Sequence, residues 1–141
     1  MAELKRIQWD PSLATGYSIV DTQHQVFIQR IDSFLDKCTR EGVSAKELDD
    51  AFSFLFEYAE THFSTEEDLM RRAGYSGHET HTQNHKYLLD QLNRVHDEWQ
   101  DEGPGMNQLL QMNYLLVDWL RNHIMQMDKK MAQSVRESLP E

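Results

Sequence analysis

The sequence predicts an all-α chain folded as an up-down-up-down antiparallel four-helix bundle, on three observations. Apolar residues recur alternately three and four apart in four separate stretches, the spacing of a helix's buried face. The connections between them are ~5 to 7 residues, too short to cross the length of a bundle, so each helix reverses the one before. The sequence shows no candidate strands, internal repeats or low-complexity tracts.

The first helix, about 21–40, carries Val20, His24, Phe27, Ile31, Phe34 and Cys38 on its stripe, with Asp21 or Thr22 placed to cap its start. The second, about 46–72, carries Leu48, Phe52, Leu55, Ala59, His62, Glu66 and Leu69. It opens on Ser44 with Glu47 three residues on, a capping-box pattern. Gly74 and Gly77 flank the next turn. The third helix, about 77–101, presents His81, His85, Leu88, Leu92, Val95 and Trp99, and DEGPG ends it. The fourth, about 106–131, presents Met106, Leu109, Asn113, Leu116, Leu120, His123 and Met127, irregular at Asn113, where Met112 is expected to share the buried face. Residues 1–19 form an N-terminal arm, and 1–141 reads as a single domain, large enough to bury a core without disulfides.

Twenty-four acidic against 14 basic side chains give a formal charge of -10, which repels nucleic acid and anionic lipid. No apolar run approaches the ~18 to 20 residues that cross a bilayer. Cys38 is the one cysteine and forms no internal disulfide, and MAELKRIQWD lacks the apolar core of a signal peptide. The expectation is a cytoplasmic monomer, with no nucleic-acid partner and no membrane insertion.

Five histidines and a glutamate interrupt the apolar stripes. A buried imidazole or carboxylate costs on the order of several kcal/mol if unpaired, so each must be hydrogen-bonded, ion-paired or bound to metal. At a rise of ~1.5 Å per residue, counted from the three connections, His24 and His62 are level, Glu66 and His62 overlap His81 and His85, and His123 and Asp128 match His85 and His81. All seven converge in one slab nearer the second turn, whereas scattered structural histidines have no reason to share a height. His62-x3-Glu66 and His81-x3-His85 each place two donors one turn apart on one face. His123-x4-Asp128 is less regular: five residues turn the second side chain ~140° away, so Asp128 must reach round from a frayed last turn or the next helical row. His96 lies off the stripe and reads as solvated; His78, near the turn, reads as a surface or capping residue.

Seven ligands exceed what one reactive ion needs. Imidazole mixed with carboxylate suits iron or manganese better than calcium or structural zinc, and two irons are the natural count. Two octahedral ions offer about twelve positions. Five imidazoles, two bridging carboxylates and one bridging oxo or hydroxo group leave one open. An odd number of histidines leaves that vacancy on the ion with fewer of them. The pocket around it should be apolar, from Phe27, Phe63, Trp119, Leu120 and Ile124, although each alone also reads as ordinary core.

These residues resemble the hemerythrin family, in particular the single-domain bacteriohemerythrins. The matching text is Asp21-x-Gln23-His24, His62-Phe63-x2-Glu66-Glu67-x2-Met70-x4-Tyr75, His81-x3-His85 and Trp119-Leu120-x2-His123-Ile124-x3-Asp128. The resemblance implies a hemerythrin-like bundle in which His81, His85 and His123 bind one iron, His24 and His62 the other, and Glu66 and Asp128 bridge them. It implies reversible binding of molecular oxygen at the less-coordinated iron, for storage, transport or delivery, by a protein that is not an enzyme. Phe63, Trp119, Leu120 and Ile124 match the family's pocket positions. Phe27 stands where members often carry leucine, and Tyr75-Ser76 replaces the usual Tyr-Pro, implying a looser second turn. The alternatives are an oxygen or nitric-oxide sensor, or a diiron oxidase, peroxidase or nitric-oxide-handling enzyme. Ferritin-like oxidases are disfavoured because their Glu-x-x-His pairs are absent.

Overall fold

Four helices account for the molecule in the computed structural model, which describes residues 4–99 and 103–141. They are α1 (Ser18–Thr39), α2 (Ala45–Ala73), α3 (His78–Asp97) and α4, continuous from 106 to 138. A short 3-10 turn, Pro11–Leu13, interrupts the N-terminal arm, its start capped by Asp10, which accepts from the Ser12 N–H at 2.8 Å. No strand occurs among the described residues, and none of their helices is long and apolar enough to cross a membrane.

The helix ends follow from local chemistry. Ser44 Oγ accepts from the Glu47 N–H at 3.0 Å, so α2 starts on its expected cap. Gly74 ends α2 in the left-handed region (φ 66°), where its N–H and that of Tyr75 reach back to Arg71 O and Met70 O. Tyr75 then lies over Gly77, where a Cβ would come within 2.8 Å of the ring.

The start of α1 differs from the expectation. Asp21 and Thr22 lie inside the helix, which begins at Ser18 after an N-cap, Tyr17, that makes no side-chain cap bond. Asp21 acts in the reverse direction. Its carboxylate accepts from Thr15 N (2.8 Å), Thr15 Oγ1 (2.7 Å) and Gly16 N (3.1 Å), tying down the arm ahead of the helix.

The pitch of α4 changes along its length. It is α-helical at Met106–Asn113, π-helical at Tyr114–Trp119, α-helical at Leu120–His123, π-helical at Ile124–Asp128 and α-helical again at Lys129–Ser138. Each π turn takes up roughly one residue more than an α turn, which slips the buried face. Met106, in the first turn of the helix, is exposed and Met127 only half-buried, while Met112, Asn113 and Asp128 are inside. Asn113 is satisfied there by a two-way clasp on the arm: it accepts from Lys5 N (2.9 Å) and donates to Lys5 O (2.8 Å). The helix also runs on to 138 rather than about 131.

Two apolar clusters result. The larger includes Phe27, Ile31, Phe34, Leu55, Phe63, Leu88, Leu92 and Leu116; the smaller joins Tyr17, Val20, Leu69 and Met70 to Met131, Ala132 and Val135 of the last turns of α4. Arg136 donates to Thr15 O and the Tyr17 hydroxyl to Leu139 O, clasping the two ends of the chain over the smaller cluster.

A candidate divided metal centre

Antiparallel order brings the early part of α1, the late part of α2, the early part of α3 and the later part of α4 to one level. His24, His62 with Glu66, His81 with His85, and His123 with Asp128 meet there, each nearly or fully buried. The sequence expectation that these seven share a height is met by their geometry.

The seven side chains form two groups that share two members. Glu66, His81, His85, His123 and Asp128 each offer one donor atom within 4.8 Å of the others, as do His24, His62, Glu66 and Asp128. The carboxylates divide their oxygens. Glu66 Oε2 is 3.3 Å from His24 Nε2 and 3.2 Å from His62 Nε2, whereas Glu66 Oε1 is 3.0 Å from His85 Nε2 and 3.8 Å from His81 Nε2. Asp128 Oδ2 is 3.0 Å from His24 Nε2, and Asp128 Oδ1 is 2.9 Å from His81 Nε2 and 3.0 Å from His123 Nε2.

Asp128 reaches the centre by a route that the spacing did not suggest. It comes from neither a frayed end nor another helical row. Ile124–Asp128 is π-helical, so five residues close approximately one turn and Asp128 stands on the same face as His123.

The electrostatics are those of a buried ion cluster. Burial pulls His24 towards neutrality, but its close ion-pair contacts with Asp128 and Glu66 win and push it up to about 10. His85 is raised to about 9 against the same burial, by its close contact with the Glu66 carboxylate and its hydrogen bond to Glu67. His62 goes the other way, lowered by burial. Burial, and for Glu66 the charge of Asp128, would raise the two carboxyls; the surrounding imidazoles hold both well below the usual carboxylate range.

The donor set fits a pair of cations. His24, His62, His85 and His123 Nε2, both Glu66 oxygens and Asp128 Oδ2 are buried without a hydrogen-bond partner of acceptable geometry. Such atoms are costly unless something positive lies between them. The outer ring nitrogens point to acceptors instead. His62 Nδ1 meets Gln23 Oε1 (2.8 Å), His85 Nδ1 meets Glu67 Oε2 (2.8 Å) and His123 Nδ1 meets Asn84 Oδ1 (2.7 Å), so each Nδ1–H has an acceptor and each Nε2 faces inward.

The roles of those three partners were not anticipated, although Gln23 and Glu67 stand in the family-like text. Gln23 precedes His24, Glu67 follows Glu66 and Asn84 precedes His85. One position along a helix turns a side chain by ~100°, from its own site face towards a ligand on the next helix. The signal was a polar residue adjoining each ligand, but flank positions of a bundle are ordinarily polar.

Of the five expected pocket residues, Phe27, Phe63, Leu120 and Ile124 are enclosed. Phe63 stacks on His85 at 4.0 Å, and the ring centroid of Phe27 is 5.9 Å from that of His62. Trp119 is half-buried and stacks on His123 at 5.1 Å, with Tyr87 beyond it at 6.2 Å. His78 begins α3, outside both donor groups. His96 is not solvated as expected: it is half-buried, stacks on Phe52 at 4.3 Å and pairs with Asp49, because the flank of α3 there faces α2.

The family model for the hemerythrin HHE cation binding domain matches residues 15–135. A bacteriohemerythrin of Pseudomonas aeruginosa is 27% identical over 138 residues, 98% of this chain and 87% of the relative. A myohemerythrin of Sipunculus nudus is 29% identical over 122 residues, covering 86% and 88%. The fold is similar to the crystal structure of a hemerythrin carrying one leucine-to-tyrosine substitution, with a TM-score of 0.80 at 22% identity over 92% of this chain and 96% of that one.

Proposed function

Since this chain belongs to the hemerythrin family, we propose that it binds molecular oxygen reversibly at a non-haem diiron centre, as a carrier or store. In this reading His81, His85 and His123 hold one iron, His24 and His62 the other, and Glu66 and Asp128 bridge them. One observation carries it: each carboxylate gives one oxygen to the three-histidine side and the other to the two-histidine side. Two bound irons supply the open coordination position and the electrons with which oxygen is taken up and released.

The protein's own part is to hold, orient and exclude. Backbone helices fix the imidazoles at one level, and the acceptors behind His62, His85 and His123 fix their rings and protons. Phe27, Phe63, Leu120 and Ile124 are buried and carry no ionisable group, so they have no proton to offer oxygen bound beside them. That environment suits release of oxygen unchanged more than its consumption. Cys38, without a second cysteine, suits a reducing compartment such as the cytoplasm.

The test is to load the reduced protein with iron and cycle it between air and vacuum while recording its visible spectrum. Bands that appear in air and vanish on degassing, over many cycles, are expected. Steady consumption of reductant, with bands that do not reverse, would favour an oxidase or peroxidase instead.

A further inference from the structure

His62 is held from behind by a chain of hydrogen bonds whose direction is fixed at its far end. Thr65 Oγ1 lies 3.1 Å from Thr61 O, a carbonyl that can only accept, so the Thr65 hydroxyl spends its one proton there. Its oxygen is then an acceptor. Gln23 Nε2 lies 3.3 Å from it, which orients the Gln23 amide with its NH2 group towards Thr65. The Gln23 carbonyl oxygen is therefore the atom facing His62 Nδ1, at 2.8 Å. An acceptor there requires a proton on Nδ1 and leaves Nε2 bare, aimed at Glu66 Oε2, 3.2 Å away. The Tyr58 hydroxyl donates to the backbone carbonyl of Gln23 at 3.2 Å, pinning the residue from α2.

We infer that Gln23 is a positioning residue: through the Thr61–Thr65–Gln23 relay it sets the ring orientation and proton placement of His62, and so the grip on the ion at the two-histidine side. Its neighbour His24 is the other histidine of that side, so one stretch of α1 supplies a ligand directly and orients its partner ligand on α2. The three-histidine side is held by different residues, Glu67 and Asn84, and does not depend on this relay. The inference rests on the two-ion reading.

The experiment uses zinc, a diamagnetic divalent probe, titrated into the full chain against a chromogenic chelator. Imidazole N–H signals of the zinc-loaded protein are followed in parallel by nuclear magnetic resonance. Gln23→Leu, similar in volume but without an acceptor, should weaken one of the two zinc sites about 10–100-fold and leave the other at wild-type affinity. The protected His62 Nδ1–H signal should disappear. Gln23→Glu keeps an acceptor at the same place and should retain both the affinity and the signal. Thr65→Val preserves shape and removes only the orienting hydroxyl. It should weaken the same single site by a smaller factor, and it decides the matter if Gln23→Leu does not fold. Unchanged affinity at both sites with the His62 signal intact, or equal loss at both sites in a folded variant, would overturn the inference. A wild-type chain that takes up fewer than two zinc ions would instead overturn the two-ion reading itself.

Discussion

His62 and His24 approach the same Glu66 oxygen from two different helices, whereas His81 and His85 are paired with the other. Removing one of them should therefore cost one ion and spare the other. His62→Ala is expected to lower iron content from about two to about one per chain, measured by elemental analysis of the loaded protein, and to abolish oxygen binding. A second residue-level consequence concerns protons. His24 and His85 are raised to about 10 and about 9 in the metal-free chain, so both carry a proton at neutral pH that must leave before Nε2 can bind a cation. Metal affinity should accordingly rise with pH from the ordinary histidine range up to about 9 to 10, by about tenfold per unit for each proton displaced, and then level off. Zinc titrations at a series of pH values check this; affinity that is flat from pH 6.5 to 9 would contradict it. Six of the seven candidate donors were legible in the sequence as polar residues on apolar stripes, and Asp128, off the stripe, by its height in the bundle. Gln23, Glu67 and Asn84 were not, because they occupy flanks where polar residues are normal.

At the scale of the element, α4 is where periodicity and structure part. A 3.6-residue repeat assumes constant pitch, so the two π-helical stretches appeared in the sequence only as irregularities: Asn113 on the stripe, and a five-residue gap from His123 to Asp128. The other three helices kept constant pitch, and their expected stripe residues are buried except for the half-buried Cys38, with Ile28, Leu35, Phe63 and Met70 buried beside them. The π turn at Ile124–Asp128 makes a specific prediction. Deleting Gln126, which is exposed, shortens the gap to an ordinary α-helical turn, in which residues four apart still share a face. Such a variant should keep about two irons per chain. Inserting an alanine after Gln126 should rotate Asp128 by ~100° off the site and lose the bridge, with metal content falling sharply. Iron analysis of the pair reads both; loss of metal in the deletion variant would show that the π geometry itself, and not only the facing of Asp128, is required.

For the whole molecule, the seven donors lie at the level where the two apolar clusters adjoin. Phe27 and Phe63 belong to one cluster, and Val20, Met70 and Met131 to the other. The bundle and its topology could be read from four stripes and three short connections. What could not be read was the C-terminal extension of α4, whose partners Tyr17 and Val20 come from the opposite end of the chain and leave no local trace. This enclosure is what buries five imidazoles and two carboxylates together inside the bundle. A divided centre with one open position can be tested by measuring oxygen uptake and iron in the same reduced sample. About one oxygen molecule bound per two irons, fully recovered under vacuum, is the expected result. One oxygen per iron, or uptake that vacuum does not reverse, would contradict it.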